Sequence, residues 1–192
     1  MRKGKNVINY ETLGAISHII SSASDMVDVC HHVVSQLTTA LELKGCAILL
    51  LNRTSRELEV AASNGLSQEY LHKGPLSALK SITASLEEGP VAIYDVSDDP
   101  RIQYPEAAEE EGIASILSVP IMLRGKVLGV LRLYTGEPWE FSMQDITFVA
   151  AIAEMIALVL DNIRTTHAYK TSIDVLKTMR PTTRPYKDAM QT

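Results

Sequence analysis

Two separate stretches of this sequence read as β-hairpins, and that pairing limits the possible folds more than any other feature. In the first, Cys46-Ala47-Ile48-Leu49-Leu50-Leu51 is an unbroken apolar run, as in a strand covered on both faces. A turn at Asn52-Arg53-Thr54-Ser55-Arg56 follows, and Leu58, Val60 and Ala62 then alternate with Glu59, Ala61 and Ser63. In the second, Ala114 to Ile121 and Lys126 to Tyr134 are joined across Met122-Leu123-Arg124-Gly125. Strands joined by tight turns pair antiparallel, so a doubly wound parallel sheet is excluded.

Helical periodicity brackets these hairpins. Leu13, Ile16, Ile19 and Ile20 recur at i, i+3 and i+4. Ser24 is the expected N-cap of a second helix, with Asp25 and Asp28 at its positive end. That helix carries Val29, Val33, Leu37, Ala40 and Leu41 on one side and is expected to stop at Gly45. After the second hairpin, Ser142 and Asp145 resemble a capping box, with Phe141 as the apolar residue before the cap. Ile146, Val149, Ile152, Met155, Ile156, Val159, Leu160 and Ile163 then mark one helical face, which continues through Tyr169, Ile173 and Leu176 until Pro181 ends it.

Between the hairpins the signals are shorter. A helix is predicted from Ser77 to Leu86, stopped by Gly89-Pro90, then a strand over Val91-Ala92-Ile93-Tyr94 and a polar loop from Asp95 to Arg101. Pro105 suits the first turn of another helix, capped by Gly112. The expected fold class is α+β: a central antiparallel sheet of about six strands, terminal helices on one face, loops and short helices on the other. Residues 1–9 are expected to be a tail, 10–163 the domain, 164–180 a helical extension and 181–192 a disordered tail.

Composition narrows the function. The chain has 192 residues, 46% of them hydrophobic, which is ample for a core. A net charge of -5 argues against a nucleic-acid partner, which needs a basic face. No run approaches the ~18 consecutive apolar residues of a membrane span, and the start does not read as a secretory signal. Cys30 and Cys46, the two cysteines, sit in apolar patterns and fit a reducing cytoplasm.

The string Gly112-Ile113-Ala114-Ser115-Ile116-Leu117-Ser118-Val119-Pro120-Ile121, followed by Gly125-Lys126-Val127-Leu128-Gly129-Val130-Leu131 and Phe141-Ser142-Met143-Gln144-Asp145, resembles the GAF domain family. Asp95-Val96, Asp98-Asp99-Pro100-Arg101 and Asn64-Gly65-Leu66 fit the same order, and the likeness spans about Ile16 to Ile163. It implies a sheet with a ligand cavity on the side of the middle segment, in a small-molecule sensor or a dimerisation module. The Asn-Lys-Phe-Asp-Glu string of cyclic-nucleotide-binding relatives is absent, and no cysteine lies in the middle loops where bilins attach. No cofactor is named by any motif.

Pocket residues are expected at Tyr94, Asp95, Arg101, Tyr104, Ser115, Leu117 and Arg132. Arg101 can clamp a carboxylate or phosphate, or pair with Asp98 or Asp95. Arg132 is expected to share a strand face with Leu128, Val130 and Tyr134. On a cavity wall it needs an anionic ligand or a carboxylate partner; at a sheet edge it snorkels to solvent. Val127, Gly129, Leu131 and Leu133 are expected to face the terminal helices, with Gly129 allowing close backbone approach. Asp95, Asp98 and Asp99 lack the spacing of a calcium loop and read as turn residues. The five histidines form no ligand set, since His31 and His32 diverge by about 100° on a helix.

These readings converge on a stand-alone cytoplasmic sensory or regulatory domain. It is expected to bind a small ligand, anionic if the arginines face it, and to signal through a homodimer formed by the terminal helices or through a partner protein. No catalytic residues and no metal are expected. The alternatives are a ligand-free dimerisation module and an enzyme like the free methionine sulfoxide reductases. The chain is too short to add a kinase, cyclase or DNA-binding output module.

Overall fold

In the computed structural model, described for residues 10–22, 25–74, 76–77 and 89–178, the unbroken apolar run becomes β1 (Gly45–Leu51), buried over most of its length. β2 (Glu57–Asn64) closes the first hairpin, and β3 (Leu76–Ser77) pairs with it at the sheet edge. β4 (Val91–Ile93) is the opposite edge, beside the second hairpin of β5 (Ser115–Leu123) and β6 (Lys126–Thr135). All pairings are antiparallel, in the order β3-β2-β1-β6-β5-β4. The two hairpins meet where β1 pairs with β6, which gives β1 its two covered edges.

Helices α1 (Tyr10–Ser22) and α2 (Met26–Ala40) and the last helix cover one face, as expected. Asp25, not Ser24, caps α2: its Oδ1 accepts from the Val27 and Asp28 amides at 2.8 and 3.2 Å. Ser24 lies outside the described residues, as do the predicted Ser77–Leu86 helix beyond its first residue and both tails. α2 ends at Ala40 rather than at Gly45, because the chain turns left-handed at Glu42 (φ 50°) before entering β1. Two short helices, α3 (Gln68–Leu71) and α4 (Pro105–Glu110), lie on the other side of the chain's order, between β2 and β5. Gly112, with φ 72°, turns the chain out of α4 as expected.

α5 (Met143–Thr178) begins with the predicted capping box. Ser142 Oγ accepts from the Asp145 amide at 3.2 Å, and Asp145 Oδ2 accepts from the Ser142 amide and hydroxyl at 2.9 and 2.8 Å. Its 36 residues span about 54 Å. By length and composition α5 could cross a membrane, yet Val149, Ile152, Ala153, Ile156, Ala157 and Leu160 are buried against the sheet and its neighbouring helices. Residues 164–178 project beyond that core and are exposed throughout.

Each face of the sheet carries its own apolar cluster. On the helix side, Cys46, Ile48, Leu117, Val119, Ile121, Leu131 and Leu133 meet Val33, Leu37, Ile152 and Ile156. On the other side, Ala47, Leu49, Val91, Ile93, Ile116, Val130 and Tyr134 meet Tyr70, Val96, Ala108 and Ile113.

Two one-residue bulges reset which residues face which side. In β2, Ile48 pairs with Ala62 and Leu49 with Val60, leaving Ala61 unpaired. Leu58 and Ala62 therefore join opposite clusters, and Val60 is exposed, against the simple alternation expected. In β6, Ile121 pairs with Gly129 and Met122 with Val127, so Leu128 is the extra residue. Leu128 consequently packs on the helix side and Val127 on the other, the reverse of the expectation for both. Gly129 does allow close approach: a Cβ there would stand 2.1 Å from the Leu49 carbonyl oxygen.

Candidate functional site

A cleft opens on the face of the sheet away from the long helices. Ile93 of β4, Ile116 and Ser118 of β5, and Arg132 of β6 form its floor, while Tyr70, Lys73 and the segment Arg101-Ile102-Gln103-Tyr104 form its walls. Its volume is about 40 Å³.

Three of the expected pocket residues meet here: Arg101, Tyr104 and Arg132. Arg101 sits at the rim, held by Asp99 rather than by Asp95 or Asp98. Its Nε donates to Asp99 Oδ1 at 2.8 Å, its amide donates to the same oxygen at 2.9 Å, and its Nη2 pairs with Asp99 Oδ2. That pairing holds the Asp99 carboxyl below its ordinary range, outweighing burial. Tyr104 precedes Pro105 at the start of α4, and its hydroxyl lies against Gly74, where a Cβ would come within 2.6 Å.

The other four lie elsewhere. Tyr94 is 57% exposed and lends only its carbonyl, which accepts from Ser115 Oγ at 2.6 Å. Asp95 is a turn residue whose Oδ1 accepts from the Ser97 hydroxyl and amide at 2.6 and 2.9 Å. Those bonds, the hydroxyl's first, lower its pKa. Ser115 is buried and also accepts from the Trp139 amide at 2.8 Å, so it ties the end of β4 to the segment that leads into α5.

Leu117 is fully buried on the helix side. The bulge at Leu128 is the reason. A regular hairpin across Arg124-Gly125 would set Leu117 opposite Arg132, on the same face; the extra residue sets Ser118 there instead.

Arg132 is half-buried; its guanidinium hydrogen-bonds the Tyr134 side chain, while its Nε is fully enclosed with no partner. Among the described residues its guanidinium makes no ion pair. Lys73, which the sequence reading did not single out, is the second cation. Its Nζ donates to the Tyr70 carbonyl at 2.8 Å and stands 3.5 Å over the Tyr70 ring. Burial lowers its pKa to about 8, assisted by the nearby Arg132 charge and opposed by Glu111.

The Tyr70 ring in turn meets Tyr134 edge-on at 5.8 Å. Burial pushes the pKa of both phenols up. Glu111 anchors the other end of this wall: it accepts from the Ser67 amide at 3.0 Å and from the Ser67 hydroxyl, and pairs with Lys44 at 3.2 Å. Burial would raise its pKa, but these contacts outweigh it and the net shift is downward.

Besides Arg101, which is paired with Asp99, this arrangement holds two positive groups on one apolar-walled cleft, with no carboxylate among the described lining residues. Both cysteines lie on the opposite side of the sheet, in the helix-side cluster. Burial raises the Cys30 thiol to about 11, with Asp25 adding to it, and pushes Cys46 higher. No group of three or more metal-ligating side chains occurs among the described residues.

The comparisons with known proteins agree with this architecture. Over its full length the chain is 24% identical to the Nif-specific regulatory protein of Azospirillum brasilense, of which it spans 33%. Among solved structures, the GAF domain from a phosphoenolpyruvate-protein phosphotransferase of Coxiella burnetii superposes with a TM-score of 0.74 at 23% identity, over 85% of this chain and 99% of that one. The free methionine-R-sulfoxide reductase of Neisseria meningitidis superposes with a TM-score of 0.70 at 19% identity, over 82% of this chain and 90% of that one. The chain spans about a third of the length of the curated relatives it matches. A family model described as the GAF domain matches residues 23–161, and the chain belongs to that family.

Proposed function

We propose that this chain is a sensory and regulatory GAF domain that binds a small anionic ligand in the cleft on Arg132 and Lys73. The observation that carries the reading is the pair of Arg132 and Lys73 on one cleft, with no carboxylate among its described lining residues. The two positive charges repel, which helps to lower the Lys73 pKa, and an anion between them relieves that repulsion. The domain is residues 10–163, with 164–180 as a helical extension. The ligand state passes through α5 to a homodimer or a partner protein in the cytoplasm, with no nucleic-acid or membrane partner. Tyr169, Ile173 and Leu176, each at least half exposed on the projecting part of α5, support a helical interface there. The relative's name, a regulatory protein, supports a regulatory role.

One observation favours a second reading, a dimerisation module without a ligand. The cleft's 40 Å³ is far below the roughly 300–1,000 Å³ of drug-sized pockets. The reductase-like alternative draws on the Neisseria meningitidis structure, but buried thiols on the wrong face of the sheet do not support it, and the domain is proposed to be non-catalytic.

Native mass spectrometry of the freshly purified protein, with identification of whatever denaturation releases, tests the sensor reading. The expected result is a dimer carrying an additional small anionic mass. A bare dimer that also gains no thermal stability from any of a panel of small organic and inorganic anions would overturn it in favour of the dimerisation module.

A further inference from the structure

We infer that the cleft takes the carboxylate end of a compact organic acid rather than a phosphate group. This rests on the reading of the cleft as the sensing site and names its ligand class. Three features of the site separate these two anions.

The first is room. At roughly 10–15 Å³ for each water-sized group, 40 Å³ holds about three such groups. Propionate and phosphate both have five heavy atoms, so shape decides: the carboxylate enters as a flat three-atom head with a slim tail behind it, whereas phosphate packs all five atoms into one tetrahedron.

The second is the donor set. Phosphate sites usually gather backbone amides at a helix start or a glycine-rich loop. Here the cations are side chains, and the backbone beside Lys73 presents the Tyr70 carbonyl, an acceptor already bonded to Nζ. Pro105, at the first turn of α4, removes one of the amides that a phosphate at that end would use. The Ser118 hydroxyl sits directly opposite Arg132 in the strand register and makes no hydrogen bond with the described residues. Arg132, Ser118 and Lys73 together offer a planar acceptor pair a fork, a hydroxyl and an ammonium.

The third is the wall. Ile93, Ile102 and Ile116 border the same cleft, so the group attached to the carboxylate meets hydrocarbon. A short aliphatic acid matches that surface; a highly charged or sugar-bearing anion does not.

The test uses the full chain, with methyl groups of its isoleucines labelled for NMR, and three probes: propionate, propionamide and inorganic phosphate. Propionate is expected to bind with a dissociation constant on the order of 1 mM or tighter, within what five non-hydrogen atoms can deliver. It should shift the Ile93 and Ile116 methyl signals. Propionamide, which keeps the shape and loses the charge, is expected to bind at least about tenfold more weakly, as is phosphate. Arg132→Met is expected to weaken propionate about ten- to hundredfold, the range for a lost charge-assisted hydrogen bond.

Phosphate binding as tightly as propionate, with the same loss in Arg132→Met, would overturn the carboxylate assignment and leave the anion sensor standing. Propionamide binding as well as propionate would overturn recognition by charge. No response to any probe at tens of millimolar would overturn both.

Discussion

Replacing Arg132 by Met is expected to make the empty protein more stable and the ligand-responsive protein inert. Met keeps an unbranched apolar stem in the space of the arginine stem and removes the guanidinium. What disappears is an enclosed Nε with nothing to donate to, a positive charge close enough to Lys73 to lower its pKa, and, on the other side of the balance, the guanidinium's hydrogen bond to the buried Tyr134 side chain. An unpaired buried donor costs about 1–3 kcal/mol, and exchanging poorly compensated buried charge for packed hydrocarbon is commonly neutral or stabilising. Because Arg132 is only half-buried and its hydrogen bond to Tyr134 is lost with it, the net gain is about 0.5–1 kcal/mol. For a chain of this size each kcal/mol moves Tm by about 2–4 °C, so the expected rise is about 1–4 °C.

The wild type should overtake the variant once ligand is added. At a hundred times Kd a ligand adds about 2.7 kcal/mol to whatever binds it, and the variant should gain almost nothing. Urea denaturation at pH 7, with and without a bound carboxylate, measures both effects. The Lys73 pKa, followed by NMR on labelled lysine, provides a third readout: it should climb from about 8 but stop short of the ordinary lysine value, since burial is the larger cause of its depression. A variant that loses 1 kcal/mol or more without ligand would refute the reasoning, because Arg132 would then be stabilised by protein contacts and need no anion.

Four further outcomes can be measured. Anion affinity should be flat below pH 8 and fall by up to about tenfold per pH unit above it, because a bound anion must restore the Lys73 proton that the empty site gives up near pH 8; calorimetry in buffers of different ionisation enthalpy should register proton uptake at pH 8.5, and a constant affinity from pH 7 to 9.5 would contradict this. Without ligand the same group acts on stability in the opposite sense: its folded pKa lies below the unfolded value, so stability rises with pH from about 8 to 10.5. Ser142→Ala removes the hydroxyl of the α5 capping box and should cost about 1 kcal/mol, read as a fall in Tm of about 2–4 °C; no change would mean that helix packing alone fixes the start. Cys30 and Cys46, both buried with raised thiol pKa values, should resist an aromatic disulfide reagent in the native protein and react fully in denaturant, with no turnover of free methionine sulfoxide; fast labelling or turnover would reopen the reductase alternative.

The strands and long helices were legible because their burial leaves periodic traces. β1 reads as covered on both faces since Cys46 and Ile48 pack in the helix-side cluster and Ala47 and Leu49 in the opposite one. The start of α5 reads from three side chains, Phe141, Ser142 and Asp145, whose contacts are local in sequence. The site was harder to read for a reason equally physical. Faces of a strand are assigned by counting residues in twos, and one unpaired residue inverts every assignment beyond it. The bulge at Leu128 does this in β6, which is why Leu117 and Ser118 exchange roles and why Arg132 meets a hydroxyl instead of a leucine. Lys73 left no trace at all. It follows a four-residue helix too short to show a period, and its place over the Tyr70 ring depends on how Ser67 and Glu111, far apart in sequence, anchor that helix.

The same alternation that complicates the reading gives the cleft its reach. Along β5, Ile116 and Ser118 face the cleft while Leu117 and Val119 face the helices; along β6, Arg132 faces the cleft between Leu131 and Leu133, which face the helices. α5 packs chiefly across β5, so the residues that would grip a ligand and those that seat the outgoing helix are immediate neighbours on one pair of strands. Ser115 adds a second tie, joining the end of β4 at the cleft's edge to Trp139 just before α5 begins. A close-packed sheet does not absorb displacement by compressing. Under the proposed function, an anion that drew Arg132 toward Ser118 would act directly on the strand pair carrying α5, and the exposed segment 164–178 is where a change in that helix's seating would become available to a partner.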